Sequence, residues 1–482
     1  QEGGAEFFSL SPFDEARYER LLEGLEATEL MLSEVRNDND KLRIDSGYFA
    51  KPMLAADKKI RELISGHDEL GALFGRFVKG IFDINADAYA DEGIPFVRIQ
   101  NLRDGLTDDR GMVFIPERIH AAEQKTELRK GDIVLSKTAY PAAALVTFDR
   151  GNACQDTIVT SLSEYGRRHY QSPAVVAYLN SKYGQALLWR QFQGNVQLHL
   201  SLDDGRKVPI PRLMDTLQTA IVDIFANAQD ARAASRRCIE HADQSLLHAL
   251  HLDAWTPPET LSYMRSSQDA FAAGRLDAEY FQPQFAALQG ILNATGSGVR
   301  LGDHLAVNQR GKQPAYADEG LPVINSKHVL RNEVCLDADN RRALADEDSL
   351  RIQTGDVLIN GTGVGTIGRA AAYLHDAAAL PDNHVTVLRP GETLDPVYLA
   401  VYLNSVAGQL QVDQRFRGSS GQIELYPSDI AEFSVWLAPE TLQLEIRQLV
   451  ETSFEQRQRA ICLLEAAKRA VEIAIEDSEA RA

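Results

Sequence analysis

The sequence predicts an α+β protein: two tandem mixed α/β domains, separated and joined by long antiparallel coiled-coil helices in a pseudo-twofold arrangement. Three observations predict it. Short segments recur in one order 224 to 232 residues apart, each copy alternates short apolar runs with polar turns, and each copy ends in a long stretch free of Pro and Gly. A repeat has to be settled first, because a missed one misassigns the whole fold.

Arg43-Ile44-Asp45-Ser46-Gly47-Tyr48-Phe49 recurs as Arg275-Leu276-Asp277-Ala278-Glu279-Tyr280-Phe281, at 277 − 45 = 232. Tyr89-Ala90-Asp91-Glu92-Gly93-Ile94-Pro95 recurs as Tyr316-Ala317-Asp318-Glu319-Gly320-Leu321-Pro322, at 316 − 89 = 227. Gly131-Asp132-Ile133-Val134-Leu135 returns as Gly355-Asp356-Val357-Leu358-Ile359, and Tyr178-Leu179-Asn180-Ser181 as Tyr402-Leu403-Asn404-Ser405, both at 224. Thr216-Leu217-Gln218 returns as Thr441-Leu442-Gln443 at 225. Five landmarks in one order make the chain a tandem duplication.

Within each copy, Ile133-Val134-Leu135 and Val357-Leu358-Ile359, flanked by Gly and Asp, read as buried strands. Pro173 to Leu188 and Pro396 to Leu410 read as helices with Pro at the start. The stretches from about Leu213 to Leu250 and Glu440 to Ile475 read as helices of roughly 50–60 Å. In the second, Val450, Phe454, Ile461, Leu464, Val471 and Ile475 follow a seven-residue pattern that Arg457 and Lys468 interrupt. In the first, Leu217, Ile221, Ile224, Ala228, Ala231, Cys238 and Ala242 do the same with smaller residues, which permits close approach of a neighbour. Antiparallel pairing of the two would hold the domains apart at a fixed distance. The expected boundaries are 1–41 (an acidic helical segment from Phe13 to Asp40), 42–211 (first domain), 212–257 (central helix), 258–438 (second domain) and 439–482 (C-terminal helix).

The chain has 482 residues, 44% hydrophobic and 25% charged, and no apolar run approaches the roughly 18–20 residues that span a bilayer. Cys154, Cys238, Cys335 and Cys462 form no CxxC pair, so neither a disulfide framework nor a zinc site is expected, and they read as reduced thiols of a cytoplasmic protein. The formal charge of −19 argues against a generally basic nucleic-acid-gripping surface, so any such contact is local or shared with a partner.

Together the Arg-x-Asp motifs at Arg43–Phe49 and Arg275–Phe281, the Gly-Asp-Ile/Val strand, the Tyr-Leu-Asn-Ser helix and the Gln opening each long helix resemble the specificity subunit of type I restriction-modification systems. Gly418-Ser419-Ser420-Gly421-Gln422-Ile423, with Ser428-Asp429-Ile430 and the apolar run to Pro439, extends the resemblance, which spans about residues 42–478. It implies two target-recognition domains, each reading half of a bipartite site on double-stranded DNA. It further implies long helices that act as a ruler and dock two DNA methyltransferase subunits, with room for a restriction or translocase subunit, in a phage-defence system. No catalytic residue, metal or cofactor is then expected in this chain; S-adenosylmethionine would belong to the methyltransferase partner. The first copy departs from the pattern, with Ser136-Lys137-Thr138-Ala139-Tyr140 where the second has Asn360-Gly361-Thr362-Gly363-Val364-Gly365-Thr366-Ile367-Gly368.

Base reading asks for Arg or Lys against guanine, Asn or Gln against adenine, and small hydroxyls nearby. The first copy offers Arg98, Gln100, Asn101 and Arg103, then Lys137, Thr138 and Tyr140 at the strand end, and Gln193, Asn195 and Gln197 on a polar loop. The second offers Asn325, Ser326, Lys327 and His328, then Thr362 and Thr366, and a rim of Arg415, Arg417, Ser419, Ser420 and Gln422. Arg415 and Arg417, with Arg310 and Lys312, suit phosphates, which position without specifying.

Gly363-Val364-Gly365-Thr366-Ile367-Gly368 matches GxGxxG, but no long amphipathic helix follows and the first copy lacks the glycines, so a turn approaching a backbone or base edge is expected instead of a dinucleotide site. Asp203-Asp204 and Asp91-Glu92 read as surface turns, and His375 and His384 lack partners at metal spacing. No Walker or methyltransferase motif is present. Two other readings stand: the recognition half of a longer fused methyltransferase or restriction enzyme, with catalytic residues ahead of Gln1, and a protein-binding scaffold suited to the acidic balance.

Overall fold

The computed structural model describes residues 14–22, 28–36, 41, 43–84, 86–90, 92–194, 197–336, 340–418 and 423–476. The chain divides into two compact units, Gln1–Gln229 with Ala460–Ala482, and Asp230–Arg459. Both are mixed α and β. The long helices, Asp215–Ala249 and Glu440–Glu476, each give one part of their length to either unit.

In the first unit a six-stranded sheet runs in the order Phe74–Lys79, Thr157–Leu162, Ile133–Ser136, Ala143–Leu145, Leu106–Thr107, Leu102–Arg103. In the second a four-stranded sheet runs Leu305–Arg310, Val385–Pro390, Val357–Asn360, Ala370–Ala372, which repeats the first four positions. The apolar runs read as strands are the buried centres of these sheets: Ile133–Ser136 and Val357–Asn360 are buried at every residue. Strands buried on both faces read as continuous apolar runs instead of alternating ones.

The landmarks turn out to be hydrogen-bonding devices, and the bonds repeat with them. The Gln218 amide accepts from the Gln171 N–H at 2.8 Å and donates to the Leu213 carbonyl at 3.0 Å; Gln443 accepts from the Asp395 N–H at 2.9 Å and donates to the Ala438 carbonyl at 2.9 Å. Tyr178 donates its hydroxyl to the Pro209 carbonyl at 2.6 Å, and Tyr402 to that of Ser434 at 2.8 Å. Each Arg-x-Asp motif folds on itself. Arg43 pairs with Asp45 at 2.8 Å and lies 4.5 Å over the Tyr48 ring, while Arg275 pairs with Asp277 at 2.6 Å and lies 4.9 Å over Tyr280. The Tyr48 carbonyl then accepts from Arg190 at 3.1 Å and the Tyr280 carbonyl from Gln414 at 3.2 Å, so one job is done by two different donors 414 − 190 = 224 residues apart.

Two helical expectations need correction. Pro173–Leu188 and Pro396–Leu410 are each two helices, Ser172–Asn180 with Lys182–Gln191 and Pro396–Asn404 with Val406–Arg415, broken at Ser181 and Ser405. Both serine hydroxyls donate back to the preceding tyrosine carbonyl, at 2.6 and 2.7 Å, which satisfies a helix-end acceptor and stops the first helix. In the N-terminal segment the described helices are the short Glu15–Leu22 and Leu32–Arg36, with residues 28–31 non-helical between the described stretches.

Along the second long helix Ile446, Val450, Ser453, Arg457, Ala460, Leu464, Ala467, Val471 and Ala474 are buried, with Gln443 at the helix start and Ile475 beside Ala474 buried as well. Steps of four and three residues alternate along this list, the seam of a coiled coil. Phe454 and Ile461, read as seam positions, flank it, and Arg457, read as an interruption, belongs to it, 3.0 Å from Glu333. In the first helix Phe225 is buried where Ile224 was expected. Inside the second unit the helices run antiparallel: Ser235 meets Ser453 hydroxyl to hydroxyl at 2.8 Å, and Ser245 donates to Glu445 at 3.0 Å.

Asp243, on the first long helix, is half-buried; burial pushes its carboxyl up to about 6, with Arg331 opposing and Glu240 reinforcing the rise. Its Oδ1 has no hydrogen-bond partner among the described residues.

Gln218→Ala and Gln443→Ala each remove a buried side chain that serves two or more backbone groups, so each is expected to cost about 1–3 kcal/mol in denaturant melts. A loss under about 0.5 kcal/mol would show that the helix starts are held otherwise. The folded state holds the Asp243 proton more tightly than the unfolded chain, so as pH rises from about 4 to about 6 the unfolded state ionises first and stability falls. Asp243→Asn is therefore expected to match the parent below pH 4 and to exceed it by about 1 kcal/mol, discounted for partial exposure, at pH 7.5; a variant less stable than the parent at pH 7.5 would contradict this.

Candidate nucleic-acid interface

The first strand of each main sheet is followed by a glycine, Gly80 and Gly311, where an added Cβ would collide with the carbonyl oxygens of Cys154 and Asp382. Only glycine lets the strand end lie so close to the next chain. The residue before it is a cation in both units, Lys79 and Arg310. Beside it the chain beyond the buried strand is pinned identically. The Lys137 N–H donates to the Asp156 carbonyl at 2.7 Å and the Gly361 N–H to that of His384 at 2.8 Å. The Lys137 and Gly361 carbonyls accept from Leu200 and Leu425, both at 2.8 Å. Thr138 bridges to His199, and Thr362 to Glu424. One backbone edge is thus built twice, bearing Lys79, Lys137, Asp156 and His199 in the first unit and Arg310, Gly361, His384 and Glu424 in the second.

In the first unit the edge carries Lys137 and Tyr140, with exposed Gln197 on the chain bridged to it. Burial and the nearby Lys79 ammonium push the Lys137 amine below its usual value, with Asp156 opposing. Phe82 is 70% exposed, with the Lys79 ammonium 4.6 Å from its ring centre, and Tyr140 is 42% exposed. Arg98 donates to the Gly111 carbonyl at 2.6 Å and lies 5.6 Å from the Tyr89 ring centre; Gln100 is exposed, and its carbonyl accepts from half-buried Arg103 at 3.3 Å. Thr138 is buried, and Gln193 is held by the Asp204 carboxylate at 2.8 Å, so both serve the framework. Asn195 lies outside the described residues.

Asn101 and His328 also belong to the framework, and they do the same work. Asn101 is fully buried, its Oδ1 accepting from the Arg98 N–H at 3.0 Å and its amide donating to the Asp108 carbonyl at 3.0 Å. His328, at 328 − 101 = 227, is buried too, with Nδ1 accepting from the Asn325 N–H at 3.2 Å.

In the second unit Lys312 and Lys327 are exposed. Asn325 turns its side-chain oxygen to the Lys327 N–H at 3.2 Å, and the Ser326 carbonyl accepts from Asn360 at 3.0 Å. Thr362 meets His384 Nδ1 at 2.7 Å, and Thr366 donates to the Thr362 carbonyl at 2.9 Å. These two threonines shape the glycine loop, which leads into the strand Ala370–Ala372 and so lacks the helix a dinucleotide site requires. Arg310 is 3.5 Å from the Glu424 carboxylate. Arg415, expected on phosphates, is spent inside its own unit: it lies 5.5 Å over Phe433 and donates to Gln414 and the Glu432 carbonyl. Arg417 is exposed and paired with Asp429 at 2.8 Å. Ser419, Ser420 and Gln422 lie outside the described residues.

Lys79 and Phe82 were missed because one closes a strand and the other follows it in a run, Gly80-Ile81-Phe82, that reads as core. Only the step from Lys79 to Gly80, matched by Arg310 and Gly311, marks the edge. Among the described residues no three His, Cys, Asp or Glu gather as a metal site, and no helix is long and apolar enough to cross a membrane.

No protein-family model matches the sequence, and no curated protein does. Among solved structures, the chain is similar to a type I restriction-modification S subunit from M. genitalium at 12% identity and a TM-score of 0.35, over 87% of this chain and 97% of that one. It is similar to an HsdS subunit from Thermoanaerobacter tengcongensis at 17% identity and a TM-score of 0.25, over 85% and 95%. The type IIG restriction endonuclease BpuSI is similar at 11% identity and a TM-score of 0.27, over 43% of this chain and 32% of that one. Likenesses this distant carry no weight for the function.

Asn101→Ala and His328→Ala are expected to lower the stability of their units by about 1–3 kcal/mol, since each leaves a turn N–H without its acceptor. Unchanged melts for both variants would return these side chains to the binding surface.

Proposed function

We propose that the chain is the DNA sequence-recognition subunit of a type I-like restriction-modification or methyltransferase complex, each unit reading one half of an asymmetric bipartite site. One observation carries the reading: the same edge is pinned twice by the same backbone bonds and keeps a cation at Lys79 and Arg310, while three other side chains along it differ, Lys137 against Gly361, Asp156 against His384, His199 against Glu424. A duplicated device for one ligand would keep its contact residues and let the frame drift. Here the frame is kept and the contacts change, as two different half-sites require.

The sequence resemblance supplies the setting. The chain contributes recognition, and partners contribute chemistry: two methyltransferase subunits docked on the long helices bind S-adenosylmethionine, extrude the target base and methylate it. The charge of −19 suits such a division, because a partner then provides most backbone neutralisation.

Replacing residues 45–211 with the same region of a relative is expected to change one half of the methylated sequence and leave the other intact, read by base-resolution methylation mapping in cells with and without the protein. A methylated sequence unchanged by the replacement would sink the reading.

A further inference from the structure

The first unit's edge differs from the second's in a way that half-site reading does not require. Lys79 and Lys137 stand near enough to repel each other, and neither ammonium has a hydrogen bond or an ion pair among the described residues. Two exposed aromatic rings belong to this edge: Phe82, with the Lys79 ammonium 4.6 Å from its centre, and Tyr140, three residues after Lys137. Both rings adjoin non-glycine residues in the left-handed region, Asp83 at φ 57° and Ala139 at φ 66°. That region is disfavoured for residues with a Cβ, so the backbone spends conformational energy where the rings are turned outward. In the second unit the counterparts are engaged otherwise: Arg310 is committed to Glu424 and the Gly361 carbonyl and lies 5.8 Å from the centre of the exposed Tyr426 ring, Gly361 replaces the second lysine, and the loop tip is Val364.

We propose that this edge of the first unit holds an unstacked base of DNA, its face against Phe82 or Tyr140 and its flanking phosphates against Lys79 and Lys137. Two repelling ammoniums call for an anion between or beside them, and exposed rings call for a flat apolar face. A single nucleotide offers both. The strongly acidic chain makes a chance cluster of unpaired cations the weaker account. The inference rests on the DNA reading above and adds to it that the two half-sites are engaged differently, one with a base out of the stack.

The test uses the purified full chain, a labelled thymidine oligomer of about 20 nucleotides, and a mixed-sequence duplex of equal length, followed by fluorescence anisotropy over a salt series. The oligomer is expected to bind. Phe82→Ala and Tyr140→Ala should each weaken it about tenfold or more, and Lys79→Gln and Lys137→Gln should each flatten the dependence of log affinity on log salt by about 0.7. Phe82→Leu, which keeps the bulk and loses the π face, should behave like Phe82→Ala; Val364→Ala in the second unit should change nothing. Circular dichroism melts confirm that each variant folds. Absence of oligomer binding by the parent, or binding indifferent to both ring variants, overturns the proposal. So does a Phe82→Ala effect confined to association with a methyltransferase subunit, which would make the edge a protein contact. The domain replacement above reads independently of these outcomes, so a failed oligomer experiment beside a changed half-site removes only this inference.

Discussion

A buried glutamine at the head of each long helix ties three pieces of chain together: the helix start, the strand end before it, and the turn that opens a domain helix. Gln218 and Gln443 do this with the same atoms, accepting from Gln171 and Asp395 and donating to Leu213 and Ala438. An amide is suited to the place because it accepts and donates at once, and a buried backbone group without a partner costs more than a made bond returns. The direction in which each helix leaves its domain follows from that joint.

From there the molecule separates what must be constant from what must vary. Constant features are backbone bonds and closely packed glycines: Gly80 with Gly311, and the N–H bonds of Lys137 and Gly361. Variable features are the side chains that project from this frame. Asn101 and His328 show how far the frame tolerates change, since an amide oxygen and an imidazole nitrogen accept the same turn N–H. Ionic features also shift without loss: Asp132 is paired by Arg76 and Asp356 by Arg389, partners that stand on different strands.

Much of the fold was legible because the duplication could be read twice. The buried strands, the helix starts and the Arg-x-Asp motifs each recur, and recurrence separates framework from accident. What escaped did so for physical reasons. The helix breaks at Ser181 and Ser405 depend on a hydroxyl bonding back to its own turn, which leaves no mark on apolar periodicity. The coiled-coil seam passes through Ser453 and Arg457, which hydropathy counts against it, because a hydroxyl partner and Glu333 satisfy them there. A further repeat, Leu32-Ser33-Glu34-Val35-Arg36 with Leu261-Ser262-Tyr263-Met264-Arg265 at 261 − 32 = 229, lies ahead of the Arg-x-Asp motifs and was hidden by the three extra residues that follow it in the second copy. For the candidate interface, residue type singled out Lys137, Tyr140 and Gln197, which the structure leaves at least partly exposed. It could not tell them from Asn101, Thr138 or Arg415, whose chemistry suits a base or phosphate equally well and whose burial or local bonding decides otherwise.

The division of the long helices bears on how the chain comes to be folded. Ala460–Ala482 belongs with Gln1–Gln229, so the unit that is synthesised first is finished last. On the ribosome its sheet can close, and Asp215–Gln229 emerge, more than 200 residues before the segment that completes the unit is made. Contacts so distant in sequence form slowly, and surface left uncovered in the interval is where a nascent chain associates wrongly. At Ala228, buried within Asp215–Gln229, the small side chain presents less greasy area during the delay than a leucine would.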